Sequence, residues 1–256
     1  MNTVTLTFAL IFVLIPLLLS KYFKLGLEKD TIIATIRSII QLFIVGYLLQ
    51  FVFDSERYIY IALMIMIMIG AATQNARKKG KMIKGITWKL VTTFALIEFI
   101  TQFILIGFKI TPPTAQYMIP LSGMVIGNSM VLAILFLNRF TGEIKSQQDE
   151  TELILSLGGT PKQAVQNQLI HSIRASTIPT IESQKTIGLV QLPGMMSGQI
   201  IAGADPLQAV FFQLLVLFLL LTTAVFTSIL LGFLSYPTLF NERMQFLDEE
   251  LKQLDD

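Results

Sequence analysis

Seven polar or ionisable side chains stand inside otherwise apolar stretches of this 256-residue sequence. Arg37 and Gln41 are four apart, as are Glu98 and Gln102, so each pair shares one helix face. Asn128, Gln191 and Gln199 stand singly. A carboxylate in Glu98's position can coordinate a cation, carry a proton, or pair with a base. Arg37, near the end of its apolar stretch, also reads as a snorkelling side chain. Thioethers suit soft metals, and Met195-Met196 follow directly on Pro193-Gly194, so these two methionines and Glu98 are the metal candidates, with the metal unassigned. Met64, Met66 and Met68 alternate, which spreads them around a helix as packing or lipid-facing residues. With no cysteine, thiolate metal sites, disulfides and cysteine nucleophiles are excluded. His171 is the one histidine and builds no zinc or haem site alone. No G-x-x-x-x-G-K-[ST] string occurs, so the chain carries no P-loop of its own.

The elements that must position these residues are membrane helices. Hydrophobic residues make up 53% and charged residues 14%, with mean hydropathy +0.67, about half the charge of a soluble domain. A net charge of +2 is too balanced for a nucleic-acid binder. A crossing helix needs about 20 mostly apolar residues. Stretches 3–20, 31–53, 58–74, 90–108, 117–138, 186–203 and 207–235 approach or meet this, predicting an all-α bundle of about seven spans. The first lacks a preceding basic residue and a small-x-small cleavage site, so it reads as a retained span rather than a signal peptide. With the N-terminus outside and the C-terminus in the cytoplasm, sixteen basic residues fall inside, against Arg57 and Lys109 outside. The chain then forms one transmembrane domain, 1–256, whose largest hydrophilic segment is a cytoplasmic stretch over 139–185.

That stretch specifies its own local structure. Asp149 to Leu157 has acids in its first turn and helix formers after them, and Gly158-Gly159 signals a helix end. Thr160-Pro161 reads as an N-cap followed by proline at the first helical position, restarting a helix to about Ala175. Leu153, Ile154 and Leu157 on so short a helix need a cover. The Glu152 to Gly158 spacing resembles the cytoplasmic loop by which ABC-importer permeases dock on their ATPase, although Leu153 and Ile154 replace that motif's small residues. An amphipathic helix packed on the bundle or lying at the interface satisfies the same residues.

Pro193-Gly194 interrupts the sixth stretch, Ile187–Gly203, which is therefore expected to be kinked or broken and to border a translocation path. Gly194 and Gly198, like Gly123 and Gly127, form a G-x-x-x-G face that permits close helix packing. The path candidates are Glu98, Gln102, Asn128, Gln191, Pro193, Gly194, Met195, Met196 and Gln199.

Taken together, LPGMMSGQIIAG (192–203), GNSM (127–130), RSIIQLFIVGYLL (37–49) and the 149–161 loop resemble the FetB/YbbM-type ABC permeases over essentially the whole chain. These are bacterial iron-export permeases with plant relatives tied to aluminium tolerance. The resemblance implies a multi-pass subunit of the cytoplasmic (inner) membrane, working as a homodimer in the lipid bilayer with a separate ATP-binding cassette ATPase. ATP and Mg would sit on that partner, and this chain would hold no cofactor and catalyse no reaction itself. The coupling residues would be Glu152, Leu153, Ile154, Leu157, Gly158 and Gly159, and the cargo a metal ion such as iron. Two rivals remain at this point: a proton-coupled transporter with Glu98 as carrier, and a membrane anchor using its loop only for docking. An intramembrane enzyme lacks any His/Asp/Ser constellation to support it.

Overall fold

A computed structural model describes residues 11–55, 57–241 and 245–246. Two compact units divide at Arg57. The first holds α1 (Ile11–Tyr22) and α2 (Glu28–Ser55). Its turn is fixed by Ser20, whose hydroxyl donates to Glu28 Oε1 at 2.8 Å and accepts from the Leu27 N–H at 3.2 Å. Arg37 and Gln41 lie exposed on α2. The beginning of the first expected span, 3–10, lies outside the described residues.

The second unit contains α3 (Tyr58–Ala76), α4 (Ile86–Gly107), α5 (Ala115–Ser146), α6 (Gln148–Ser156), α7 (Pro161–Ala164), α8 (Gln166–Thr186), α9 (Gly194–Ile201) and α10 (Pro206–Ser235). No strand occurs among the described residues. α5 is the hub, packed by α3, α4, α8 and α10. Its Phe136 and Phe140 are fully buried, stacked at 5.3 Å, and form the core with Leu90, Phe94, Leu137 and Leu231. Small residues let the helices close on one another, as lipid gives no hydrophobic drive for association. Ser176 on α8 hydrogen-bonds Ser228 on α10 at 2.8 Å. A Cβ on Gly232 would stand 3.2 Å from Phe136 and 3.3 Å from Leu169, so this glycine sets the approach of α10 to α5 and α8. By contrast, Cβ atoms at Gly127, Gly194 and Gly198 would meet nothing within 4 Å among the described residues, and one at Gly123 only Met68 at 3.9 Å.

Five described helices are long and apolar enough to cross a membrane: α2, α3, α4, α5 and α10. The sixth expected stretch, 186–203, is broken, one of the two outcomes that Pro193-Gly194 predicts. Residues 187–193 form a tight turn closed by the Gly188 N–H on the Gln191 carbonyl, and α9 is eight residues long, about 12 Å. Proline has no N–H to continue a helix, so Pro193 becomes the N-cap of α9 instead of a kink within a span. The polar helix α8 extends to Thr186, well past the expected end near Ala175, and runs antiparallel to α10: Leu169 lies by Gly232, Ser176 by Ser228, and Gln184 donates to the Leu217 carbonyl at 2.9 Å. α10 starts where Asp205 accepts the N–H groups of Leu207 and Gln208, with Pro206 at the first position.

Candidate functional site: a coupling loop and a polar path

The loop is built from its buried side outward. α6 is anchored through Thr151, fully buried, whose hydroxyl donates to the Gln147 carbonyl at 3.0 Å and accepts from Gln168 Nε2 at 3.4 Å. Leu155 packs against the core and Ile154 is half-buried. The opposite face carries Glu152, held by Gln148 at 2.9 Å, with Leu153 and Leu157 exposed at 59% and 79%. Leu153 and Leu157 are four apart and so form one apolar patch. The helix ends at Gly158, whose φ of +88° is the left-handed region glycine enters without a side-chain penalty. Gly159 has a different constraint, since its Cβ would lie 2.8 Å from the Ile154 carbonyl oxygen. Thr160 caps the next helix with Pro161 at its first position, as the sequence predicts, and Gln163 completes a reciprocal capping box. Gly159→Ala is expected to push the loop off α6 while leaving the bundle folded; protease cutting between 157 and 161 should rise several-fold with no change in detergent melting temperature.

The path candidates divide into two groups. Glu98 on α4 is 4% exposed, and its Oε1 accepts from Ser122 Oγ at 2.5 Å and Gln102 Nε2 at 2.9 Å. Gln102 Nε2 also reaches Ser122 Oγ at 2.8 Å. The structure gives Glu98 hydroxyl and amide partners rather than a base, and Oε2 is buried without a hydrogen-bond partner among the described residues. Ser122 was missed by sequence reasoning because a serine in an apolar helix carries no signal until its partner is placed.

The second group lies along α10. Asn128 on α5 donates to Thr223 Oγ1 at 2.9 Å and the Leu220 carbonyl at 3.2 Å. It lines a cavity of about 270 Å³ with Thr180, Ser183 and Gln184 of α8. Pro193 and Met196 line an adjoining cavity of about 330 Å³ with Gln213, whose Oε1 is buried and unpartnered among the described residues. Ile187 and Leu217 border both. Met195 instead packs with Leu105, Leu121 and Val216. Gln191 is exposed in the turn before α9, Gly194 opens that helix, and Gln199 is half-exposed on it. Thr180, Ser183, Gln184 and Gln213 were the residues the sequence left unmarked; the first three lie past Ala175, where the expected helix ends.

Among the described residues, no three His, Asp or Glu side chains converge on a common point. The candidate metal residues thus sit in three settings: Glu98 in its hydroxyl and amide network, Met195 in an apolar cluster and Met196 at a cavity wall.

The profile of the Uncharacterised protein family UPF0014 matches residues 3–240. The chain is 52% identical to the UPF0014 membrane protein YjkA of Bacillus subtilis (strain 168), covering 98% of this chain and 100% of the relative. It is 39% identical to a protein of Escherichia coli (strain K12) named "Probable iron export permease protein FetB", over 97% and 96% of the two chains. To the protein ALUMINUM SENSITIVE 3 of Arabidopsis thaliana it is 34% identical, over 93% and 87%. No solved structure matches it. With five membrane-length helices among its described residues, the chain belongs to the UPF0014 family of multi-pass membrane proteins, the FetB-type permeases.

Proposed function

We propose that this permease is the membrane subunit of an ATP-driven exporter of the cytoplasmic (inner) membrane. Two copies work with two ATP-binding cassette subunits, which hold the ATP and Mg, and the cargo is a metal ion, iron being the candidate. The observation that carries the coupling is the outer face of α6. Leu153 and Leu157 form an apolar patch on a short helix whose inner side is fastened by Thr151 and Leu155 and whose end is set by Gly158. Such a patch at the end of a membrane bundle suits a groove on a water-soluble partner. Iron is supported by the name of the E. coli relative. Closure of the two ATPases would move the loops over 139–185 and shift α8 against α10, changing access to the cavities at Asn128 and Met196.

A second reading, proton coupling without an ATPase, draws on one observation: the buried, unpartnered Oε2 of Glu98. Glu98→Gln separates the two. Its amide oxygen still accepts from Ser122 and Gln102, so ATP-driven metal uptake by inverted membrane vesicles should stay within about three-fold of wild type. Loss of more than ten-fold, with uptake that follows an imposed pH gradient and ignores ATP, would transfer the function to the proton-coupled reading.

A further inference from the structure

The turn between α3 and α4 carries the densest run of basic residues in the chain: Arg77, Lys78, Lys79, Lys81, Lys84 and Lys89. No aspartate or glutamate occurs from Tyr58 to Ile97. Lys89 donates to Thr238 Oγ1 at 2.6 Å. The other five are exposed, and none has an acidic partner among the described residues. Glu143, the one acid of neighbouring α5, is already held by Arg139 at 2.5 Å.

These charges ride on a folded turn. Three hydrogen bonds follow one another along it: the Gly80 N–H to the Arg77 carbonyl at 3.2 Å, the Ile83 N–H to the Gly80 carbonyl at 3.0 Å, and the Ile86 N–H to the Ile83 carbonyl at 3.2 Å. Buried Ile83 and Ile86 fasten it to the core. A Cβ on Gly80 would stand 2.7 Å from Ile86 and 3.2 Å from Leu137, so the backbone lies against the bundle there. The backbone that presents the cations is thus ordered before any ligand arrives.

The depth of the turn is set by what it joins. α3 ends at Ala76 and α4 begins at Ile86, and both are long and apolar enough to cross a membrane. The cations therefore stand where two spans leave the hydrocarbon. Trp88, the one tryptophan of the chain, lies in the first turn of α4 and is 74% exposed. Helical spacing puts it at the head of the exposed apolar face that continues through Leu96, Phe99 and Phe103. Tryptophan concentrates at the boundary between hydrocarbon and headgroups. Orientation of the chain by basic residues needs only their number on one side of the membrane, and neither a folded turn nor an adjoining tryptophan. A water-soluble acidic partner would satisfy the lysines and leave Trp88, on the span side of them, without a role.

We propose that the 77–89 turn is a binding site for anionic phospholipid, its exposed cations on the headgroup phosphates and Trp88 at the top of the acyl chains. A zwitterionic headgroup brings an ammonium that the turn repels, so phosphatidylglycerol is preferred to phosphatidylcholine.

Trp88 is the chain's own reporter. The full-length permease would be placed in nanodiscs of phosphatidylcholine with a minor fraction of phosphatidylglycerol. Acyl-chain bromines, which quench tryptophan on contact, are carried by one lipid or the other in separate samples. Per molecule present, brominated phosphatidylglycerol should quench about five-fold more strongly, the preference one cation confers at an anionic surface. Salt at about 1 M shortens the screening length to about 3 Å and should remove most of that difference. Lys81→Gln with Lys84→Gln, the exposed lysines nearest Trp88 in the chain, should remove it at low salt without lowering the melting temperature. Lys81→Arg with Lys84→Arg should preserve it. Equal quenching by the two lipids, a preference that survives the glutamine pair, or a Trp88 that neither lipid quenches would overturn the site. Equal quenching together with loss of an ATP-binding cassette subunit from the glutamine pair, read by pull-down from native membranes, would assign the turn to an acidic protein partner instead.

Discussion

Replacing Leu153 and Leu157 together with aspartate should abolish ATP-driven transport while leaving the permease folded and inserted. Both side chains point away from the bundle, at 59% and 79% exposure, so the isolated subunit loses no packing. In the assembled transporter they are expected to be buried in the partner's groove. Burying a leucine is worth about 1.5–3 kcal/mol, so losing two weakens docking by about 3–6 kcal/mol, or about 10²- to 10⁴-fold in Kd. The new carboxylates, beside Glu152, add a desolvation cost on top. The check is the Kd of the purified permease for its ATPase, measured alongside the melting temperature of the permease alone. A large rise in Kd with an unchanged melting temperature is the expected pair.

The opposite pair is expected at Phe136. This side chain is fully buried, stacks on Phe140 at 5.3 Å, and closes on Gly232, where α5, α8 and α10 converge. Phe136→Ala should cost about 3–5 kcal/mol, because the cavity is walled by three helices held at close range by small residues and cannot collapse. Detergent or thermal unfolding should show a large destabilisation, whereas Phe103→Ala, on the outer face of α4, should unfold within about 1 kcal/mol of wild type. Equal effects at the two positions would mean that α5 is not the hub.

Much of this organisation was legible in the sequence, and the failures share one cause. The loop from Asp149 to Gln163 follows local rules: a glycine that must enter the left-handed region, a threonine cap, a proline at the first helical position. α2, α3, α4, α5 and α10 follow from long apolar runs. α8 was legible only to about Ala175, because its later half, with Pro179 inside it and a mean hydropathy far below that of a span, carries no local signal that the helix continues to Thr186. The same lack of a local signal hid Gly232 behind the more conspicuous G-x-x-x-G pairs. Within the candidate site, Glu98 and Asn128 stood out as polar residues in apolar runs. Ser122 and Gln184 did not, since their importance lies in partners 24 and 33 residues away.

The central claim, that α6 couples this permease to an ATPase, is tested most directly by gentle purification of the tagged chain from native membranes, followed by mass spectrometry. An ATP-binding cassette protein should accompany the wild-type chain in stoichiometric amount and be absent from the Leu153→Asp, Leu157→Asp variant. A wild-type chain that emerges alone from membranes in which a candidate ATPase is expressed would contradict the account.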